Sequence, residues 1–373
     1  MNVRHLYVHV PFCAHRCGYC DFVTVVGRRG EHDRYVKVLL RELELERDVL
    51  ASQVETVFLG GGTPTFLKED ALERLLRALP LADEVTVEAN PETVTPELAS
   101  LLRRSGVTRV SLGAQSFDPR LLATLERGAR PEDVRGAYHV LRDGGFDNIS
   151  LDLIYGIPGQ TTADLERDLD EALALEPDHL SCYELEAKPG TRFTHSFGDE
   201  LARQADAMED YFERVVERLT SAGYRWYETA NFCRPGAPAG AADYRAQHNL
   251  AYWHGRDYLG VGVGAVSTIA GERRRNGPSL PRYVAALEAG VPPPRETEQL
   301  DADTTLTERV LLGLRLDEPL SLAGLESTVD DEALRRLERL GLARIDSKEA
   351  GRSLLLTSRG RFLGGGVTAE LLA

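Results

Sequence analysis

Three of the chain's five cysteines fall in one short segment, Cys13-Ala14-His15-Arg16-Cys17-Gly18-Tyr19-Cys20. Thiolates are soft ligands suited to iron–sulfur clusters, and a [4Fe–4S] cluster asks for four of them. Cys13, Cys17 and Cys20 supply three, which leaves one iron open. S-adenosylmethionine (SAM) can take that corner through its amino and carboxylate groups, accept an electron and yield an adenosyl radical. A structural zinc ion competes for the same thiols but wants four ligands, and His15 inside the loop is a poor fourth. Inert thiols are the third reading. The spacing CxxxCxxC favours the cluster.

The cysteines directly follow the apolar run LYVHV, which reads as a strand, so they stand at a strand's C-terminal end, where sites of βα folds assemble. From Leu6 to about Thr229 short apolar runs alternate with longer amphipathic stretches, the pattern of βα units around a parallel sheet. Further strands are TVFLG, EVTVEA, RVSLGAQ, NISLDLIYG and HLSCYELE. Helices are expected over 31–50, 68–79, 96–105, 119–127, 131–144 and 162–175. About six units predict an α/β fold with a partial βα barrel, short of the eight of a closed one.

Several strand ends carry polar groups. Gly60-Gly61-Gly62-Thr63-Pro64 lets backbone approach a ligand that side chains would block. Glu88, Gln115 and Asp152 stand in or beside apolar strands, where an unpartnered group costs roughly 1–3 kcal/mol. A ligand could supply the partners, and so could hydrogen bonds within the barrel.

With CxxxCxxC, and Tyr19 as the aromatic just before the last cysteine, the chain resembles the radical SAM superfamily. GGGTP is similar to its motif at the amino end of SAM, which implies contacts from Gly62, Thr63 and Pro64. EANP, GAQSFD, LERGAR and DLIYG resemble SAM-binding positions of the coproporphyrinogen oxidase-like branch. That resemblance implies Glu88 on the ribose hydroxyls, with Gln115, Arg127 and Asp152 completing the pocket. Tyr7 resembles the branch's tyrosine beside SAM, and His9 matches its YxH pattern or is a plain strand residue.

Oxygen-independent coproporphyrinogen III dehydrogenases carry a fourth cysteine where this chain has Phe22. The run Cys20-Asp21-Phe22 is similar instead to the HemW-type haem chaperones, as is His248-Asn249-Leu250-Ala251-Tyr252-Trp253, their HNxxYW motif. An imidazole is a common haem-iron ligand, and two large aromatics can pack on a porphyrin. Read from residues alone, the same segment is a His–Asn turn with core aromatics. The resemblance implies haem as cargo, ligated by His248, a haemoprotein acceptor, and dependence on the cluster and SAM rather than substrate chemistry. The competing function is coproporphyrinogen III dehydrogenation. A radical methyltransferase is a third, against which HNxxYW counts.

Composition sets the outer bounds. The 373 residues include 44 Lys and Arg against 59 Asp and Glu, a formal charge of −15, which argues against nucleic acid and anionic lipid as partners. No run reaches the roughly 18–20 apolar residues of a membrane span, so contact with a membrane haemoprotein would be transient. MNVRHLYVHVPFC lacks a signal-peptide layout, which places the chain in the cytoplasm. A homodimer is left open.

Three domains are expected: a barrel over 1–230, a connecting region with HNxxYW over 231–294, and a small winged-helix-like domain over 295–373. CRPGAPAGAAD reads as a loop and VPPPR as a boundary. Gly260, Gly262 and Gly264 are spaced GxGxG, which reads as close backbone packing rather than a dinucleotide loop. Cys182 reads as a small buried apolar residue, Cys233 as a thiol in a looser stretch, and His254 as a surface or packing residue.

Overall fold

Strand sequences such as Val54-Glu55-Thr56-Val57-Phe58-Leu59 bury residues on both faces, as parallel strands covered by helices must. The computed structural model describes residues 2–186, 188, 191–236, 243–348 and 351–372. β1 (His5–Val10) leads into two-residue strands β2 (Phe12–Cys13) and β3 (Val25–Val26), which pair in parallel at the base of the cysteine loop. β4 (Val54–Gly61), β5 (Ala82–Ala89), β6 (Arg109–Gln115), β7 (Ile149–Tyr155) and β8 (His179–Glu184) then add in sequence order, each parallel to its neighbour. The six parallel strands are those expected.

The helices between them also occupy the expected segments: α1 (His32–Leu45), α2 (Glu69–Ala78), α3 (Pro96–Arg104), α4 (Pro119–Thr124), α5 (Pro131–Asp143) and α6 (Thr162–Ala174). Their starts are locally encoded. Thr95 accepts from the Leu98 amide ahead of Pro96, and Thr161 with Asp164 forms a reciprocal capping box. Two helices stand where no segment was expected, α7 (Arg192–Gln204) and α8 (Met208–Ser221).

Beyond them the chain returns to the same sheet. β9 (Arg225–Glu228) and β10 (Asn231–Cys233) add antiparallel beside β8, α9 (Gln247–Trp253) follows, and β11 (Leu259–Val261) pairs in parallel with β1. The sheet order is β11-β1-β4-β5-β6-β7-β8-β10-β9. Among the described residues β11 and β9 do not pair, so the barrel is open. The stretch 231–294, expected as a connection, therefore supplies strands on both sides of the sheet. Its residues 237–242 lie outside the described residues. Cys233 is 2% exposed in β10 and Cys182 3% exposed in β8, so each packs as a buried thiol.

β12 (Val266–Ile269), β13 (Glu272–Asn276) and β14 (Arg295–Gln299) form an antiparallel sheet, with α10 (Leu280–Glu288) between the last two. Close backbone packing holds this sheet to β11. A Cβ on Gly260 would stand 2.0 Å from the Val266 carbonyl, and Gly262 has φ 108°. Glu42 of α1, fully buried, fastens the same region. It accepts from the Gly262 amide at 2.7 Å, Asn276 Nδ2 at 2.7 Å, the Tyr283 hydroxyl at 2.6 Å and Arg295 at 3.1 Å.

The small domain's own core begins at α11 (Ala302–Gly313) and includes Val310, Leu325, Leu334, Leu354 and Leu371. β15 (Leu320–Ser321), α12 (Asp331–Arg339), β16 (Ala343–Lys348), β17 (Gly351–Leu356), α13 (Ser358–Phe362) and α14 (Gly364–Leu371) complete it. The order β15-β17-β16, with helices before and between, is the winged-helix layout. No helix among the described residues is long and apolar enough to cross a membrane.

Removing the Glu42 carboxylate leaves the buried Gly262 amide and Tyr283 hydroxyl without an acceptor, while Arg295 keeps Glu46 and Asn276. Glu42→Ala is expected to cost roughly 2–4 kcal/mol in urea unfolding, the cost of two buried donors left unpaired. A loss below about 1 kcal/mol would show that the region is held by apolar packing alone.

Candidate functional site

A cavity of about 420 Å³ opens at the C-terminal ends of the strands, with Cys13, Cys17 and Cys20 on one wall. The loop that carries them is anchored at both ends. The Val25 amide donates to the Pro11 carbonyl and the Gly27 amide to the Cys13 carbonyl, each at 2.8 Å. α7 holds the middle. The Phe193 amide donates to the Gly18 carbonyl, Arg192 donates to the Arg16 carbonyl, and the Phe193 ring meets Tyr19 edge-on at 6.4 Å. The end of β4 lies against the loop's start with no room for side chains. A Cβ on Gly61 would stand 2.3 Å from the His9 ring, and one on Gly62 2.7 Å from the Pro11 backbone.

Thr63 and Arg127 reach two of the thiols. Thr63 Oγ1 donates to Cys13 Sγ and Arg127 Nη1 to Cys17 Sγ, both at 3.7 Å. Asn90 joins them, donating to Thr63 Oγ1 at 3.2 Å and accepting from Arg127 Nη2 at 3.0 Å. Asn90 is the third residue of EANP. Its adjacency to Glu88 at a strand end is the signal that could have singled it out.

Glu88 and Asp152 face the same cavity. Glu88 accepts from the Gly61 amide at 3.1 Å, and Ser111 donates to both oxygens of Asp152. Burial, reinforced by the charge of Asp152, pushes Glu88 up to about 7. Gln115 also lines the cavity, with φ 65° just past a register shift between β6 and β7. A non-glycine residue there is strained, as residues at functional sites often are. Pro64 is buried in the following turn and does not line the cavity.

The donor set fits a cluster with a chelating nucleoside beside it. Three sulfurs share one wall, and carboxylates stand opposite for hydroxyl or amino groups. Buried Arg127 Nε and His15 Nε2, both on cavity-lining residues, have no protein partner. No three His, Cys, Asp or Glu side chains among the described residues are arranged to hold a single metal ion. Burial pushes the Cys13 thiol up to about 11, against the Thr63 hydrogen bond, so metal binding must displace its proton.

The HNxxYW helix α9 divides its side chains among its surroundings. Asn249 lines the cysteine cavity. Tyr252 lines a second cavity of about 610 Å³, together with Tyr7, Phe22 and Tyr258, and the two cavities share Asp21 and Phe22. Tyr7 therefore stands on the second cavity, its ring stacked on Phe58. His9 is fixed by the Val23 carbonyl at 2.8 Å and the Tyr7 hydroxyl at 3.1 Å. Trp253 lies under Arg315 of the small domain, 4.3 Å from ring centre to guanidinium.

His248 itself is 1% exposed, stacked on Phe58 and lining neither cavity. Its Nδ1 bonds Thr56 Oγ1 at 2.7 Å and its Nε2 the Tyr252 hydroxyl at 2.8 Å. Burial, then the neighbouring His5, lowers its pKa to about 3, so the ring is neutral. The structure thus brings the cysteines together with Gly62, Thr63, Glu88, Gln115, Arg127 and Asp152, and sets Tyr7 and His248 apart. Gly62→Ala is expected to push the loop away and lower iron incorporation several-fold on anaerobic reconstitution. Gly30→Ala, with open space at its Cβ, serves as the unaffected control. Full iron loading in Gly62→Ala would refute the tight seat.

Comparison with known proteins agrees with this geometry. The model of the radical SAM superfamily matches residues 7–172. The heme chaperone HemW of Mycobacterium tuberculosis is 39% identical over 389 aligned residues, covering 98% of this chain and 94% of that one. HemW of Escherichia coli is 41% identical over 271 residues, covering 70% of this chain and 68% of that one. The solved structure of the E. coli coproporphyrinogen III oxidase HemN, a radical SAM enzyme, matches with a TM-score of 0.81 at 24% identity. It covers 100% of this chain and 91% of that one, a likeness of fold. The chain belongs to the radical SAM superfamily and, within it, to the HemW family.

Proposed function

We propose that this protein is a cytoplasmic haem chaperone that binds haem and hands it to an acceptor haemoprotein, using a [4Fe–4S] cluster and SAM. Cys13, Cys17 and Cys20 hold the cluster. Glu88, Gln115, Arg127 and Asp152 bind SAM beside it, with the backbone of Gly62 and Thr63 admitting its amino end. When bound, the cluster and SAM supply one-electron chemistry to the cavity.

The observation that carries the haem assignment is the position of α9, with Asn249 on the cofactor cavity and Tyr252 on a second, where Tyr7, Phe22 and Tyr258 stand with Asp21, Arg273, Arg275, Glu296 and Glu298. That second cavity falls within the usual range of ligand sites, about 300–1,000 Å³. Its rings offer flat apolar walls to a macrocycle. Phe22, 61% exposed, stands at its mouth where the dehydrogenases carry their fourth cysteine. His248 lies directly behind Tyr252, neutral and so chemically ready to ligate iron. Ligation requires the Tyr252 hydroxyl to leave Nε2 and the ring to swing aside.

Haem titration of reconstituted protein, followed by absorption spectra, tests the reading. His248→Ala is expected to weaken haem binding at least about ten-fold, roughly 1.4 kcal/mol. Tyr252→Phe frees Nε2 and is expected to strengthen it. Unchanged binding by His248→Ala would remove the ligand assignment. Formation of protoporphyrinogen IX from coproporphyrinogen III, SAM and reductant would replace the chaperone reading with the dehydrogenase.

A further inference from the structure

Arg109 opens β6 with its side chain inside the barrel. At 2% exposure it is the one arginine or lysine among the buried described residues, and it forms part of the cofactor cavity's lining. Strand register explains its company. Arg109 pairs with Thr86, so Glu84 and Glu88, two residues to either side on β5, share its face. Ser111 pairs with Ser150, which puts Asp152 on that face, and Ser150 pairs with His179. One guanidinium thus stands among three carboxylates.

Its hydrogen bonding is sparse. Nη2 donates to His179 Nδ1 at 3.3 Å and Nε has no protein partner. His179 is fixed in turn by Ser150 Oγ and the Tyr227 hydroxyl, each at 2.8 Å. Burial, then Arg109, keeps His179 neutral. The titratable groups around the guanidinium are therefore Glu84, Glu88, Asp152, His179 and Tyr227, with Tyr183 near Asp152 and Glu88. Burial raises Glu84, Glu88 and Asp152; Arg109 is the largest opposing influence on Glu84 and Asp152, and on Glu88 it follows the Gly61 amide. Carboxylates crowded in a low-dielectric interior take up protons unless a cation is near.

We propose that Arg109 is a positioning residue of the cofactor site, a buried countercharge that favours the ionised forms of Glu88 and Asp152 on the cavity wall. As carboxylates they accept hydrogen bonds from the hydroxyl and amino groups of the nucleoside. The inference rests on the assignment of this cavity to SAM. It adds a residue that acts through the two carboxylates, and it makes the site's affinity depend on pH through that residue.

The test is equilibrium dialysis of labelled SAM against the cluster-loaded protein between about pH 6 and 9. In the wild type, affinity falls as pH drops through the titration of Glu88. Arg109→Met removes the opposing charge, so the midpoint moves to higher pH. From a midpoint near 7, a shift of one unit weakens binding about five-fold at pH 7 and about ten-fold well below the midpoint, with recovery in alkali. Arg109→Lys keeps the charge and is expected to restore the wild-type midpoint. An Arg109→Met protein with the wild-type midpoint, or equally weak at every pH, would overturn the proposal. Should that variant fail to fold, Arg109→Gln, neutral but polar, carries the same test, with the same upward shift expected and an unshifted midpoint overturning the proposal. If the wild type binds no SAM at any pH, the cofactor assignment itself has failed, which these variants cannot mimic.

Discussion

The site depends on two backbones meeting without side chains between them. Where β4 ends, the Gly62 amide donates to the Val10 carbonyl and the Thr63 amide to the Phe12 carbonyl, each at 2.8 Å. That ladder continues past the strands into the start of the cysteine loop. It sets Cys13 against Thr63, from which Asn90 and Arg127 lead round to Cys17. Two of the loop's three thiols are thus spaced by hydrogen bonds that begin at a pair of glycines. Any Cβ at Gly61 or Gly62 would break the contact, because its neighbours are a packed ring and a main chain rather than a flexible side-chain end.

The second constraint is charge inside the barrel. Apolar side chains fill the space between sheet and helices, from Val36 and Leu39 of α1 to Leu219 of α8, and this layer carries the stability. The interior face is different in kind. Glu84, Glu88, Arg109, Asp152 and His179 lie there, a costly set to desolvate unless mutually paired or met by a ligand. Glu84 is partly satisfied at the other end, accepting from the Gln247 and His248 amides and so capping α9. The same carboxylate thus links the barrel's charge network to the motif helix.

That helix is the junction of the molecule. In seven residues it meets the core through His248, the cysteine cavity through Asn249, a second cavity through Tyr252 and the small domain through Trp253. A helix advances about 100° per residue, so neighbouring positions necessarily look to different sides. A short helix in the midst of three bodies can bind them where a strand, with only two faces, could not.

The sequence by itself determined the six parallel units, their capped helices, the three-thiol loop and most of the carboxylates at strand ends. Those features are local, since periodicity, capping residues and motif spacing are written in adjacent residues. It missed α7 and α8, whose amphipathic stretch follows the last expected strand and was left without a partner, although α7 holds the cysteine loop. It placed 231–294 between domains, where only tertiary pairing shows β10 and β11 joining the barrel's sheet. Arg109 and Asn90 went unremarked because their partners are remote in sequence and met only through register. Orientation was likewise decided in three dimensions. His248 and Tyr252 belong to one motif, but which ring is buried and which lines a cavity depends on Phe58, Thr56 and Tyr258, and no motif spells out its neighbours.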